Sequence, residues 1–282
     1  SRRRQRRKQT DRKTAMIEPP VTELIFPVRR VAVAAGYAIM KLYGAYCAGA
    51  DGGVEIKGDG SPVTAADAAA EAVILPALAA LTPDVPIISE ESAREGQPFG
   101  DGPFWLVDPL DGTKEYIKKN GEFTVNIALI IDGAPALGVV YAPALGELFA
   151  GTIDQESGAR SAVRWTAADG ANDIACRTPP AEGLTVVGSR SHGEADKTAD
   201  FLARYKVATQ IACGSSLKFC AVAAGRADLY PRFGPTCLWD TAAGHAVLSA
   251  AGGRVETAEG QPLTYGPRPK FLNPDFIAYG KC

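Results

Sequence analysis

Trp105-Leu106-Val107-Asp108-Pro109-Leu110-Asp111-Gly112-Thr113 is an apolar strand that runs into two carboxylates three residues apart, then into glycine and threonine. That pattern places acidic groups in a loop at a strand end. Carboxylates delivered there can bind a hard cation, and the backbone N–H groups after Asp111 can cradle a phosphate if a helix starts near Thr113. The same residues also fit a surface turn in which Asp108 precedes Pro109 and Asp111 caps a helix.

Two further segments favour the first reading. Ile87-Ile88-Ser89-Glu90-Glu91-Ser92 is a second apolar strand ending in carboxylates, and Trp239-Asp240-Thr241-Ala242-Ala243-Gly244 puts an aspartate at a helix start. Each has a plainer form, a solvated charge pair and an N-cap respectively. Mg²⁺ takes near-octahedral oxygen coordination shared between protein carboxylates and substrate phosphate. Three acidic strand or helix ends therefore suit a multi-metal phosphate site.

Around these segments the periodicity interleaves helices and strands. Leu24, Val28, Val31, Ala35, Ile39 and Leu42, spaced by three and four, predict a helix following Pro27. Thr64 opens a second helix to Leu81, with Asp67 in capping-box register and Pro76 as a kink. Short β runs are expected at 85–88, 104–107, 124–131, 136–141 and 147–151. Residues 154–183 show no clear period and form the candidate boundary between two subdomains. Beyond it, strands are expected at 184–188 and 227–230, and helices at 196–205, 215–224 and 241–251. Interleaving of this kind predicts mixed α/β layers.

Composition sets the outer limits. The 282 residues are 46% hydrophobic and 22% charged, the balance of an ordinary globular enzyme. The longest apolar stretch, Ala72 to Leu81, is far short of the roughly 20 residues that a membrane span needs. Of 30 basic and 32 acidic groups, eight and one lie in residues 1–15, so the remainder carries 22 and 31, a net of −9. An acidic body argues against nucleic acid as the partner and fits an enzyme that collects cations. Residues 1–15 are read as a basic leader or added remnant ahead of a natural start at Met16. An anionic membrane is the other surface such an arginine run can hold, which leaves peripheral attachment at the inner face of the cell membrane open. The six cysteines have neither paired spacing nor a nearby histidine at zinc spacing, and read as structural thiols of a cytoplasmic protein. His245, in an apolar helix, reads as a satisfied histidine rather than a catalyst.

Taken in order, Asp67, Glu90-Glu91, Asp108 to Thr113 and Trp239 to Gly244 resemble the inositol monophosphatase superfamily of Mg²⁺-dependent, lithium-sensitive phosphatases. The resemblance covers nearly everything from residue 22 onward. It implies an α-β-α-β-α sandwich with an N-terminal metal-binding subdomain, residues 16–180, and a C-terminal substrate-binding subdomain, residues 181–282. It further implies that Glu90, Asp108, the Leu110 carbonyl, Asp111 and Asp240 hold two or three Mg²⁺ ions, while Asp67 and Thr113 orient and deprotonate the attacking water. The substrate would lie against Glu90, Leu110, Asp111, Gly112, Thr113 and Asp240. Monomer and homodimer both remain open.

Substrate choice is expected in the C-terminal half. Inositol monophosphatases place an asparagine where Lys218 stands and a glutamate close to Arg232, whereas both positions here are cationic. Cations beside a site that already holds one phosphate suggest a second phosphate on the substrate. With Ser189-Arg190-Ser191-His192 upstream, this pattern looks like the 3'(2'),5'-bisphosphate nucleotidases. The resemblance implies hydrolysis of adenosine 3',5'-bisphosphate to AMP, and extends to its sulfated precursor. Ser215, Lys218 and Arg232 would then contact the second phosphate or the nucleotide, and His192 would line the adenosine site. Competing readings are an inositol or sugar phosphate phosphatase, and a silent nucleotide-binding protein. A haloacid-dehalogenase type phosphatase is disfavoured because Pro109 stands where its nucleophilic aspartate is required.

Overall fold

The structure is a computed structural model that describes residues 17–58, 62–94, 96–97, 102–189, 195–266 and 270–282. The basic leader and His192 lie outside the described residues. Helix α1 spans Val21–Cys47 and buries Leu24, Val28, Ala32, Ala35, Ile39 and Tyr43. It begins before Pro27 rather than after it. A proline inside a helix costs about 3 kcal/mol, and burial of Val21 and Leu24 on the same face, at roughly 1.5–3 kcal/mol each, offsets that loss. A small hairpin, β1 (Glu55–Ile56) and β2 (Pro62–Val63), leads to α2 (Ala65–Leu81), which runs on through Pro76. The capping box of α2 is present: Thr64 Oγ1 accepts the Ala66 N–H, and Asp67 Oδ2 accepts the Thr64 N–H at 2.7 Å.

The strands β3 (Ile87–Ser89), β4 (Phe104–Asp111), β5 (Thr124–Ile131), β6 (Ala134–Ala142), β7 (Glu147–Ile153), β8 (Arg160–Thr166) and β9 (Gly170–Asp173) form one sheet in chain order. Short α3 (Thr113–Ile117) separates β4 from β5. Every pairing in this sheet is antiparallel except β3 with β4. The expected aperiodic stretch thus contains β8 and β9, whose mixed polar exposure hides the alternation of a strand.

The second sheet has the order β11-β10-β12-β14-β13, from β10 (Leu184–Gly188), β11 (Val207–Ala212), β12 (Leu229–Arg232), β13 (Arg254–Thr257) and β14 (Phe276–Tyr279). Helices α4 (Ala195–Leu202), α5 (Leu217–Ala223) and α6 (Leu238–Ala250) complete the chain. Helices α1 and α2 share one core with a face of the first sheet, through residues such as Trp105, Val125 and Ile127. The opposite face, with Leu106, Ala128 and Val140, shares a core with α5, α6 and the second sheet. Phe201 and Leu202 of α4 pack on the far side of that second sheet. The α-β-α-β-α layering is therefore present. Helix α6 lies close to the first sheet because Gly138 and Gly151 carry no side chain: a Cβ at Gly138 would collide with the Ala243 carbonyl oxygen, and one at Gly151 would stand 2.7 Å from Val247 Cα.

Candidate metal and active site

Strand β4 is buried on both faces, so its apolar run does not alternate. Its end carries the decisive irregularity. Asp108 pairs with Asn126 and Asp111 with Thr124, so three steps along β4 match two along β5. Residues three apart in a regular strand point to opposite faces, and the extra residue of this bulge returns Asp111 to the face of Asp108. Asp108 Oδ1 also accepts the Leu110 N–H at 3.0 Å. Gly112 then adopts φ 90°, and α3 begins at Thr113.

Glu90 follows β3 directly, with its N–H on the Val107 carbonyl at 3.1 Å. Asp240 arrives from the other half of the chain. It is the third residue of α6 rather than its cap, because α6 starts at Leu238, three residues before the expected boundary. Its Oδ2 accepts the Cys237 N–H at 2.7 Å. Glu90, Asp108 and Asp240 each bring an oxygen within 4.8 Å of the others. This is a donor set for a hard cation: three carboxylates, one buried and two partly so. Asp111 stands beside the trio, with Oδ2 bonded to the Ser216 N–H at 2.7 Å.

Electrostatics give the same indication. Burial first, then repulsion from Glu90, Asp111, Asp240 and Asp67, pushes the Asp108 carboxyl well above the usual range. Asp240 is driven up in the same way, by burial and then Asp111. Asp67 and Glu90 are raised chiefly by burial. Lys57 is a contact that the sequence did not signal: its Nζ lies 2.8 Å from both Glu90 Oε1 and Glu91 Oε1. Burial alone would lower that ammonium, but the two glutamates outweigh it and hold it protonated. One lysine against this many carboxylates leaves unbalanced negative charge, which a divalent cation offsets.

A pH dependence follows. Groups whose folded pKa is raised above the unfolded value, about 4 for a carboxyl, contribute stability below that value and lose it as pH rises through the folded pKa. The metal-free protein is therefore expected to melt at a lower Tm at pH 8 than at pH 5.5. Saturating Mg²⁺ should raise Tm, and by more at pH 8. Binding at about a hundred times Kd stabilises by about 2.7 kcal/mol. Calorimetry at both pH values, with Mg²⁺ and with EDTA, reads this directly, and an unchanged Tm on adding Mg²⁺ would remove the cation from the site.

Asp67 serves two neighbours. Oδ2 accepts from the Thr64 backbone and hydroxyl, both at 2.7 Å, while Oδ1 lies 3.5 Å from the Thr113 hydroxyl. Together with Asp108, Asp111 and Asp240, Thr113 lines a cleft of about 400 Å³ that also touches Glu90, Leu110 and Gly112. Arg232 lines a different cleft, of about 460 Å³, with Gly188, Ser189, Thr198, Tyr230 and Phe233. Its Nη2 donates to the Pro235 carbonyl at 3.1 Å, and its buried Nε has no hydrogen-bond partner among the described residues. Pro235 itself lines the first cleft.

Two expected contacts are placed differently. Lys218 is 6% exposed, and its Nζ donates to the Ser215 carbonyl at 2.7 Å instead of reaching either cleft. Burial pushes its ammonium down. Ser215 precedes α5, which starts at Leu217, and takes φ 50°. Its hydroxyl sits between the Asp111 and Glu122 carbonyls at 2.9 and 2.8 Å. His245 is a satisfied core residue, with Nδ1 3.1 Å from the Tyr265 hydroxyl and its pKa pushed down to about 3 by burial. Among the described residues no disulfide joins any of the six cysteines. Among the described residues no helix is long and apolar enough to cross a membrane.

Residues 21–275 match the inositol monophosphatase family. The chain belongs to that family. Within it, similarity is high to proteins named 3'(2'),5'-bisphosphate nucleotidase CysQ. The one from Escherichia coli K12 is 48% identical over 251 residues, 86% of this chain and 94% of the relative. The one from Buchnera aphidicola is 41% identical over 259 residues, 91% and 93% of the two chains. The crystal structure of CysQ from Bacteroides thetaiotaomicron, described as a bacterial member of the inositol monophosphatase family, superposes with a TM-score of 0.75 at 35% identity and covers 92% of this chain and 98% of that one.

Proposed function

We propose that this protein is a Mg²⁺-dependent 3'(2'),5'-bisphosphate nucleotidase that hydrolyses the 3'-phosphate of adenosine 3',5'-bisphosphate to give AMP and phosphate, with the sulfated precursor as a second substrate. The reading rests on 48% identity to an enzyme of that name over 251 residues, in a chain that brings Glu90, Asp108 and Asp240 together. Residues 16–180 supply the metal ligands Glu90, Asp108, the Leu110 carbonyl and Asp111, and residues 181–282 supply Asp240 and the nucleotide contacts. Mg²⁺ held there, as two or three ions, supplies positive charge for a bound phosphate ester and makes water more acidic.

The chain's own part in the reaction is proton management and orientation. A water beside Thr113 passes its proton to the Thr113 hydroxyl, which hands its own to Asp67 Oδ1. Burial raises the Asp67 pKa, which makes its carboxylate a stronger base, and the Thr64 contacts fix its other oxygen. Arg232, whose side chain lines the second cleft, offers guanidinium donors to the second phosphate. Ser215 and Lys218 build the segment on which the nucleotide rests, and His192 contributes to the adenosine site.

The test is phosphate release from adenosine 3',5'-bisphosphate beside inositol 1-phosphate, with Mg²⁺, with EDTA and with lithium. Mg²⁺-dependent, lithium-inhibited turnover that favours the bisphosphate is expected. A preference for inositol 1-phosphate would move the protein to the other branch of its family, and no turnover on either would make it a binding protein. Arg232→Ala is expected to raise KM for the bisphosphate about tenfold to a hundredfold, the 1.5–3 kcal/mol of a charge-assisted hydrogen bond, while sparing a substrate with one phosphate. Equal losses on both substrates would overturn its role.

A further inference from the structure

Asp111 is held from the second half of the chain. Its Oδ2 accepts the Ser216 N–H at 2.7 Å, with the Ser216 hydroxyl at 3.0 Å and the Asn126 amide nitrogen at 3.3 Å. The same hydroxyl lies 2.8 Å from the Asp240 carbonyl oxygen and receives Asn126 Nδ2 at 2.8 Å. Asn126 cannot turn freely, because Thr124 Oγ1 donates to its Oδ1 at 3.0 Å. Both Ser216 and Asn126 are buried. One serine side chain thus touches the segments that carry two of the site's carboxylates, 105 residues away in sequence at Asp111 and 24 at Asp240.

A carboxylate has two oxygens, and a hydroxyl has one proton with two lone pairs. With Oδ2 taken by the N–H and hydroxyl of Ser216 and by the amide of Asn126, Oδ1 is the Asp111 atom left for a cation. The Ser216 hydroxyl accepts from Asn126, and its one proton is shared between Asp111 and the Asp240 carbonyl. Partners of this kind fix the orientation of a metal-binding carboxylate, and their loss typically costs ten- to a hundredfold in affinity. We propose that Ser216, oriented by Asn126, is a positioning residue that aims Asp111 at the metal and ties it to the helix carrying Asp240, so that docking of α5 on the first sheet is a condition of metal affinity. The inference rests on the metal-dependent reading of the site.

Mn²⁺ binding to the full chain tests it, read by the electron paramagnetic signal of free Mn²⁺ and checked by calorimetry with Mg²⁺, alongside Tm without metal. Ser216→Ala is expected to bind Mn²⁺ about ten- to a hundredfold more weakly, with turnover recovering as Mg²⁺ is raised. Asn126→Leu reads the same link from the first sheet, so the test does not hang on one variant folding. The double variant should bind about as weakly as the weaker single, because the two residues act as a unit. Thr82→Val is the control: it strips the buried Trp105 Nε1 of its acceptor at 2.8 Å, away from the site, and should lower Tm without moving Mn²⁺ affinity. Mn²⁺ affinity within twofold of the parent in both Ser216→Ala and Asn126→Leu would overturn the proposal and leave the phosphatase reading standing. Failure of the parent chain itself to bind Mn²⁺ would overturn both.

Discussion

Asp108→Asn is expected to abolish turnover, by at least about a thousandfold in kcat/KM or roughly 4 kcal/mol of transition-state stabilisation, and at the same time to raise the Tm of the metal-free protein. The two effects share one cause. Asp108 is 1% exposed and faces Glu90, Asp111, Asp240 and Asp67, so its charge is disfavoured by burial and by four like neighbours. At pH 8 the folded chain must either carry that charge at a cost or hold a proton that the unfolded chain releases. Asparagine removes the conflict while nearly matching the shape, and its side-chain oxygen can still accept the Leu110 N–H. The carboxylate that repels its neighbours in the metal-free protein is the one that a divalent cation needs, so activity and apo stability move in opposite directions. Melting both proteins at pH 8, with EDTA and then Mg²⁺, gives the readout: the variant should be the more stable without metal and gain less from it. A variant less stable than the parent in EDTA would mean that packing, not charge, dominates at position 108.

Asp67→Asn separates proton transfer from metal binding. The asparagine oxygen can take the place of Asp67 Oδ2 under Thr64, which preserves the α2 capping box. Its amide nitrogen then faces Thr113, where Oδ1 lies 3.5 Å from the hydroxyl. A donor stands where an acceptor is needed, and Thr113 can no longer hand on a proton. The expected result is a fall in kcat of about 10²- to 10⁴-fold, with Mn²⁺ affinity within a few-fold of the parent and a metal-free Tm at pH 8 no lower than the parent's. Turnover within tenfold of the parent would remove Asp67 from proton transfer. A large loss of Mn²⁺ affinity would instead make it a metal-binding group.

Much of this site was legible in the chain. Asp108 and Asp111 follow an apolar run, Glu90 follows another, and Asp67 sits three residues after Thr64. Such signals are local, because strand ends, caps and turns are set by neighbouring residues. The strands that sequence reading missed are those whose form depends on partners. β11 is largely exposed and pairs in parallel with β10, while β13 and β14 are four residues each and pair with one another. Helix α6 began earlier than expected because Cys237 is a weak capping signal, although its side chain and Asp240 complete the box.

Sequence by itself determined where the acidic groups lie along the chain: carboxylates at strand and helix ends and a capping aspartate. Tertiary structure alone decided how those groups face one another. The bulge before Asp111, which turns it to the face of Asp108, exists only against β5. Ser216 reaches Asp111 because α5 docks on the first sheet, and Lys218 spends its ammonium on the Ser215 carbonyl because that docking buries it. The physical reason is range: capping and strand termination act over a few residues, whereas the orientation of a buried charge is set by whatever polar atoms close packing brings beside it, however distant in sequence.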